Sequence, residues 1–357
     1  MAEDQESDLV SVSRRRYFVL LVLAAALIGS ALVAMLIGTL GPIGPGEPER
    51  IGFGDAVNII FRQFEDVPSY HVDIFWEVRI PRVILAGLVG AALACAGTAM
   101  QAVFRNPMAD PYIVGVSSGA SLGAVTAGLF GITTVLGVFI TPLFAFVTAL
   151  LTVFAVYALG TVKGRVYVDT LLLSGVAVAA FLGAIVSFLI YFARQEYHRI
   201  IFWLLGSLSL QSWDAVIVVL VAVAFGSIIV YLYGRDLNAL LLGEETAHNL
   251  GADPEFLKTL MLVVAAVMTS AAVAFTGVIG FVGLIVPHMV RLVVGADHRT
   301  LVPAATLTGA IFLIWADAIA RTALAPTELP VGIITALCGG PFFLYLLRRG
   351  RTKGVIS

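Results

Sequence analysis

The sequence predicts an all-α integral membrane protein, a polytopic bundle of about ten transmembrane helices with both termini in the cytoplasm. Three observations support this fold class. The chain is 60% hydrophobic and only 12% charged, whereas soluble domains carry about 25% charged residues. Its apolar runs are long and continuous, unlike the alternating segments of about ten residues that form membrane β-barrels. Lysine and arginine residues also fall unequally on the two sides of the predicted bundle.

Ten segments are long enough to cross a bilayer, because about 20 apolar residues span roughly 30 Å of hydrocarbon. They are residues 17–40, 81–103, 112–131, 134–159, 170–192, 213–233, 256–275, 278–294, 301–323 and 330–347. The predicted organisation is a cytoplasmic tail (1–16), one transmembrane domain (17–348) and a second cytoplasmic tail (349–357). We expect the first span to be retained, since its apolar run is too long for a cleaved signal peptide.

The orientation follows from the basic residues. With ten spans and the Arg14–Arg16 cluster inside, fourteen of the 21 lysines and arginines fall on the cytoplasmic side. This excess agrees with the positive-inside rule. One missed span would invert the remaining loops and remove the asymmetry, so the count and the orientation support each other.

Two loops are predicted to contain short interfacial elements. The longest hydrophilic segment, 41–80, begins with a Gly- and Pro-rich stretch at 41–48 that cannot be helical. Residues 53–64 are predicted to form a short amphipathic helix at the outer surface. Within the loop 194–212, the apolar residues around Trp203 are too few to span, so we expect an interfacial or re-entrant helix.

Small residues recur every four positions in the second span, at Ala86, Gly90 and Ala94. Such spacing lets helix backbones approach closely. Close packing explains the pattern, and a narrow movable helix beside a transport pathway is the functional alternative.

Motifs for enzymes, metal sites and nucleic acid binding are missing from the sequence. There is no G-x-x-x-x-G-K-[ST] phosphate-binding loop, no H-E-x-x-H and no G-x-S-x-G. Cys95 and Cys338 lie in separate apolar spans, and the five histidines stand in separate loops or span ends. We therefore expect no enzymatic activity, no bound metal or cofactor and no nucleic acid partner.

Few ionisable residues lie within the spans, although ion-coupled carriers depend on them. Asp317 and Arg321 are four residues apart, on one helix face, and a structural ion pair is the preferred interpretation. The energy for transport must then come from outside the bundle. Residues 238–252 form a polar, helix-prone segment between two spans, interrupted by Gly243 and Gly251. Such a segment is suited to binding a partner in the aqueous phase.

Several motifs now identify a resemblance. In chain order they are Arg-Ile-Pro-Arg at 79–82, Ala-Gly-Thr-Ala-Met-Gln at 96–101, Asn-Pro-Met-Ala-Asp-Pro at 106–111, Gly-Val-Ser-Ser-Gly-Ala at 115–120, Phe-Trp-Leu-Leu-Gly-Ser at 202–207, Leu-Gly-Glu-Glu-Thr-Ala at 242–247 with Leu-Gly at 250–251, Gly-Phe-Val-Gly-Leu-Ile-Val-Pro-His at 280–288, Asp-His-Arg at 297–299, and Glu-Leu-Pro-Val-Gly at 328–332. From about residue 75 to 350, the chain closely resembles the permease subunits of ABC importers for iron–siderophore, haem and cobalamin (vitamin B12).

The resemblance implies an assembly in the lipid of the cell membrane. Two copies of a ten-helix protomer would form a homodimer around the pathway. Two ATP-binding subunits, carrying ATP and Mg²⁺, would bind on the cytoplasmic side, and one substrate-binding protein would bind outside. The expected function is import of an intact chelate by ATP-driven alternating access. The alternative is a secondary carrier or channel that works without an ATPase.

The resemblance also assigns site residues. The coupling helices that contact the ATPase would include Leu242, Gly243, Glu244, Glu245, Thr246, Ala247, Leu250 and Gly251. Docking of the binding protein would use Arg79, Arg82 and Arg321, with arginines snorkelling at the interface as the alternative. The gate and pathway would include Val168, Asp169, Thr170, Asn106, Pro107, Ser117, Ser118 and Gly119. Val168 and Asp169 depart from the small hydroxyl residues expected at the gate, and a simple turn is the alternative for residues 106–119.

Overall fold

The computed structural model describes residues 2–37, 53–61, 67–130, 139–193, 196–209, 212–325 and 327–352. The predicted non-helical stretch at 41–48 lies outside these residues. Inner and outer refer below to the orientation predicted from the basic residues.

The described residues are mostly helical. The helices are α1 (Ala2–Leu36), α2 (Phe53–Ile60), α3 (Ser69–Ile74), α4 (Ile80–Val103), α5 (Val116–Leu129), α6 (Ile140–Gly160), α7 (Val168–Phe192), α8 (Tyr197–Leu204), α9 (Trp213–Leu232), α10 (Gly234–Leu241), α11 (Glu244–Asn249), α12 (Pro254–Thr276), α13 (Val282–Val294), α14 (His298–Thr322) and α15 (Val331–Thr352). A π-helical turn, Phe75–Arg79, joins α3 to α4, and a 3-10 turn, Pro111–Val114, precedes α5.

Within the described residues, seven helical segments are long and apolar enough to cross a membrane: Arg16–Leu36, Ser69–Val103, Ile140–Gly160, Val168–Phe192, Trp213–Leu232, Pro254–Thr276 and His298–Thr322. Three shorter apolar helices, Val116–Leu129, Val282–Val294 and Val331–Tyr345, lie where the sequence predicts the third, eighth and tenth spans. The chain is therefore a multi-pass, helical membrane protein.

Several predicted boundaries differ from the structure, and two of the differences have a clear physical reason. The second span extends back to Ser69 through the π turn. Pro81 has no N–H for the helical ladder, and its ring would collide with the carbonyl four residues earlier, so a wider turn precedes it. The eighth span begins at Val282 instead of 278, because residues 277–281 are not helical and Gly277 has a φ of +70°.

The helix α4 forms the centre of the bundle and packs against α9, α12, α13 and α14. Its glycines set two of these contacts. A Cβ added to Gly90 would lie 2.1 Å from the carbonyl oxygen of Gly309, and one added to Gly97 would lie 1.9 Å from that of Gly283. Only glycine allows backbones this close. The predicted close packing of the second span is therefore confirmed.

The short elements outside the spans position the site. The predicted outer helix is present as α2, and the predicted helix around Trp203 as α8. An antiparallel hairpin between α6 and α7, made of β1 (Thr161–Val162) and β2 (Arg165–Val166), did not follow from the sequence. It turns at Lys163 and Gly164, both with positive φ.

Candidate functional site

The polar segment 238–252 folds as the helices α10 and α11, joined at Gly243. Gly243 has a φ of +115° and Gly251, just beyond α11, a φ of +88°. A residue with a side chain would be strained at such a positive φ, so glycine is the residue suited to both positions. Ala247 lies on the side of α11 that faces the bundle and is fully buried, so the helix packs against the bundle there.

The solvent-facing side of this segment carries two exposed leucines among polar residues. Leu242 is 69% exposed and Leu250 is 67% exposed. Glu245 and Thr246 are exposed as well, and among the described residues beyond its own chain neighbours nothing lies within 4 Å of a Cβ added at Gly251. Exposed leucines at a small-residue surface are typical of a protein interaction site.

Beneath that surface, Lys258 of α12 connects three elements. Its side chain is 1% exposed, and its Nζ lies 3.2 Å from Oε2 of Glu244 and 2.7 Å from Oε1 of Glu255. The same Nζ donates to the backbone carbonyl of Val166 at 3.0 Å, and Glu255 accepts from the N–H of Val166 at 2.8 Å. The helix α11, the first turn of α12 and the strand β2 therefore meet at one ammonium group.

The helix α10 is held separately, at the start of α14. Asn238 donates to Oδ1 of Asp297 at 2.8 Å and accepts from the N–H of His298 at 2.9 Å. Asp297 also accepts from the N–H of Arg299 and pairs with Arg16 of α1. Partial burial alone would raise the pKa of Asp297, but these hydrogen bonds and the charges of Arg16 and Arg299 hold it below its ordinary value.

The predicted gate residues lie beside the helix α11, which holds most of the predicted coupling residues. Val168, Asp169 and Thr170 form the first turn of α7, directly after the hairpin. A hollow of about 980 Å³ opens between the two regions. Its lining comprises Phe104, Arg105, Arg165, Val166, Tyr167, Val168, Asp169, Glu244, Glu245, His248, Asp253, Pro254 and Glu255. The structure thus brings Val168 and Asp169 together with Glu244 and Glu245, while Thr170 is outside the lining.

The other pathway candidates do not line this hollow. Asn106 and Pro107 are exposed in the turn after α4, where the Asn106 side chain accepts from the N–H of Met108 at 2.9 Å. Ser117 and Ser118 are half-buried in the first turn of α5. Gly119 is buried against α6, where an added Cβ would lie 2.3 Å from Oγ1 of Thr152. A turn and a helix contact account for these positions in this conformation, and a pathway role for them stays a prediction.

The three arginines predicted for docking are buried at the outer end of the bundle. Arg82 pairs with Asp317 and with Glu328, both at 2.9 Å. Arg321 pairs with Asp317 at 3.0 Å, which confirms the predicted ion pair.

Arg79 and Arg321 also hold the end of α1. Arg79 donates to the carbonyl of Met35 at 3.2 Å, and Arg321 donates to the carbonyls of Ile37 at 3.0 Å and Ala34 at 3.3 Å. Cations at a helix C-terminus stabilise its unpaired carbonyls. The docking role stays a prediction, and it requires these arginines to exchange internal partners for those of another protein.

No group of three or more His, Cys, Asp or Glu side chains that could hold a metal ion occurs in the described ranges.

Comparison with known proteins decides the family. The model of the FecCD transport family matches residues 46–349. The chain belongs to this family. A cobalamin import system permease protein from Halobacterium salinarum is 52% identical over 282 residues, which cover 79% of this chain and 75% of that protein. A hemin transport system permease protein from Yersinia pestis is 39% identical over 334 residues, covering 92% of this chain and 96% of that protein.

A solved structure of a metal-chelate type ABC transporter in an inward-facing conformation has the same fold as this FecCD family protein. The two are 31% identical with a TM-score of 0.76, and the match covers 92% of this chain and 98% of the other.

Several residues of this FecCD family protein that organise the site were not singled out from the sequence. In the sequence, Lys258 contributed only to the count of basic residues on the cytoplasmic side, although its i, i+3 spacing from Glu255 indicates an ion pair. Glu328 stood within a motif, with no role assigned. The hydrogen bond from Asn238 to Asp297 joins positions 59 residues apart, so no local sequence pattern indicates it.

Proposed function

We propose that this protein is the permease subunit of a binding-protein-dependent ABC importer, which moves an intact metal chelate into the cytoplasm by ATP-driven alternating access. The cargo class is cobalamin, an iron–siderophore or haem, in keeping with the permeases it resembles. In this proposal the chain forms a homodimer in the cell membrane, each protomer contributing ten spans with both termini inside.

The observation that carries the proposal is the construction of residues 234–251. Their solvent-facing side presents Leu242 and Leu250, while the side that faces the bundle is bound to it by Asn238 and Glu244. A loop that only connected two spans would need neither feature. A surface that can bind a partner through exposed leucines, and that is fixed to the bundle by hydrogen bonds and an ion pair, can transmit the partner's movement to the bundle.

Two ATP-binding subunits would occupy this surface and would hold the ATP and Mg²⁺, so the ATPase activity belongs to them. When they close on ATP, the coupling segment moves with their cleft. The contacts of α10 with α14, and of α11 with α12 and the hairpin, carry that displacement into the bundle. The gate beside Val168 and Asp169 then changes its opening.

On the outer side, a substrate-binding protein would deliver the chelate. Arginine is suited to this docking because its planar guanidinium pairs with carboxylates through two hydrogen bonds. Arg79, Arg82 and Arg321 lie together there, in contact with α1 and with the segment before α15. Carboxylates of the binding protein would compete with Asp317 and Glu328 for them.

Co-purification with affinity-tagged ATP-binding subunits tests the proposal. Wild-type protein is expected to form a stable complex, whereas Leu242→Asp with Leu250→Asp is expected to reduce its yield at least tenfold, because two buried leucines contribute several kcal/mol to an interface. Leu324→Asp is the matched control, since Leu324 is 60% exposed on the opposite face. Equal yields from all three would contradict the proposed docking surface.

Uptake by cells that lack this gene, with and without a restored copy, tests the cargo. Radiolabelled cyanocobalamin and a ferric hydroxamate are the two probes. Loss and recovery of uptake for one of them identifies the class, and unaffected uptake of both would leave haem and the other classes of siderophore as candidates.

A further inference from the structure

We propose that Lys258 is the positioning residue that transmits motion from the ATPase-binding helix α11 to the inner gate at the start of α7. This inference rests on the proposed function and adds to it the residue through which the coupling segment reaches the gate.

The geometry of the ammonium group is the first argument. A lysine Nζ has three donors, and here three acceptors surround it: Glu244 at 3.2 Å, Glu255 at 2.7 Å and the carbonyl of Val166 at 3.0 Å. Each acceptor belongs to a different element, namely α11, α12 and β2. Every donor is used, so the network leaves this buried cation no unmet hydrogen bond.

Burial makes the network stiff. The Lys258 side chain is 1% exposed, whereas the side chains of Glu244 and Glu255 are 40% and 32% exposed. A charge shielded from water interacts more strongly with its partners than an exposed one, so separating Glu244 from Lys258 would leave a buried cation with fewer partners. The helix α11 and the strand β2 are therefore expected to move as one unit when a partner pulls on α11.

The position of Val166 connects this unit to the gate. Val166 is held at both of its backbone polar groups, by Lys258 at the carbonyl and by Glu255 at the N–H. It is two residues before Val168, the first residue of α7. A displacement of β2 therefore reaches Val168 and Asp169 through a single intervening residue, Tyr167.

The contact between Glu244 and Arg105 supports the same path. Their charged groups are 3.9 Å apart, and Arg105 lies in the turn that ends α4. Through Glu244, the coupling helix thus contacts the turn after α4 as well as α12. This second pair is exposed and weak, so we assign the transmission to Lys258.

The test measures gate movement directly, which avoids dependence on the cargo. The complex with its ATP-binding subunits is placed in nanodiscs, with Cys338→Ser to remove the exposed cysteine. A spin label at Tyr167→Cys, a position 49% exposed at the gate, reports the distance between the two protomers. Pulsed EPR compares the nucleotide-free state with the ATP–vanadate state, and ATP hydrolysis is measured on the same samples.

With Lys258 intact, ATP is expected to change the distance between the labels. Lys258→Met keeps the side-chain length and removes the three donors. The ATP-binding subunits should still bind and hydrolyse ATP, while the distance change falls by at least half. The matched control is Lys163→Met in the same hairpin, at a lysine that is exposed at the turn and outside the network, and it should retain the full change.

A full distance change in Lys258→Met would overturn the inference. If that variant does not assemble, Glu255→Gln serves instead, because it removes one charge from the network and leaves the lysine in place. A reduced change in Glu255→Gln supports the inference, and an undiminished change overturns it. If the wild-type chain binds no ATP-binding subunit, the proposed function itself fails, which is a distinguishable outcome.

Discussion

Replacing Gly97 by alanine should destabilise the protein by forcing α4 and α13 apart. An added Cβ would lie 1.9 Å from the carbonyl oxygen of Gly283 and 2.8 Å from its Cα. The closest ordinary carbon-to-oxygen contacts between helices are about 3.3 Å, so one helix must retreat by roughly 1.4 Å. Both atoms belong to backbone, and no flexible side chain can yield instead.

The expected cost of this overpacking is about 1–3 kcal/mol. Alanine also favours the helix over glycine by about 1 kcal/mol, which partly offsets the clash. Gly29→Ala isolates that second effect, because Gly29 is exposed within α1 and nothing lies within 4 Å of the added Cβ. The difference between the two variants is therefore the overpacking cost alone.

Thermal unfolding of the purified, monodisperse protein in detergent is a suitable assay. Gly29→Ala should melt at or slightly above the wild-type temperature, and Gly97→Ala should melt several degrees below Gly29→Ala. Equal midpoints for the two alanine variants would show that α4 and α13 are not in backbone contact. The central place of α4 in the bundle would then be wrong.

Three further predictions concern charged residues. Asp317→Asn should lower the free energy of unfolding by about 3–5 kcal/mol, since it leaves Arg82 and Arg321 buried without their shared carboxylate. Glu328→Gln changes a half-buried position and should lower the melting temperature less than Asp317→Asn does. Equal decreases in the two variants would refute this ranking. Burial raises the pKa of Asp110 to about 6 although the N–H of Tyr112 partly offsets it, so the carboxyl binds its proton more tightly in the folded state and stability should fall as pH rises from about 4 to 6. Asp110→Asn keeps an acceptor and should melt above wild type at pH 7.5 but not at pH 4, and a pH-independent difference would contradict this assignment. Arg79→Glu combined with Arg82→Glu should weaken capture of the loaded binding protein by at least tenfold, measured by surface plasmon resonance on folded complex, and unchanged affinity would exclude the docking role.

The helical class and the positions of the apolar segments followed from the sequence because both depend on local properties. Length, hydropathy and the bias of basic residues are readable without any contact. The spacing of Gly90 and Ala94 likewise indicated a packed helix face, and the structure places Gly90 against Gly309. These signals depend on one helix at a time.

Contacts between segments that are distant in the chain could not be predicted from the sequence. The hairpin before α7 consists of two strands of two residues each, too short for any periodic pattern. Lys258 gains its role only because the fold brings Val166 and Glu244 to it across 92 and 14 residues. Arg82 looked like a surface residue at a span end, and the partners that bury it are 235 and 246 positions away.

The central claim is that ATP hydrolysis by partner subunits drives transport through this chain. The most direct measurement is uptake of radiolabelled cyanocobalamin and of a ferric hydroxamate, each delivered by its loaded binding protein, into proteoliposomes that contain the chain and its ATP-binding subunits. Uptake of one probe should require enclosed ATP and should stop in the Leu242→Asp, Leu250→Asp variant. Uptake by the chain alone, driven by a proton or sodium gradient without ATP, would contradict the account and would identify a secondary carrier.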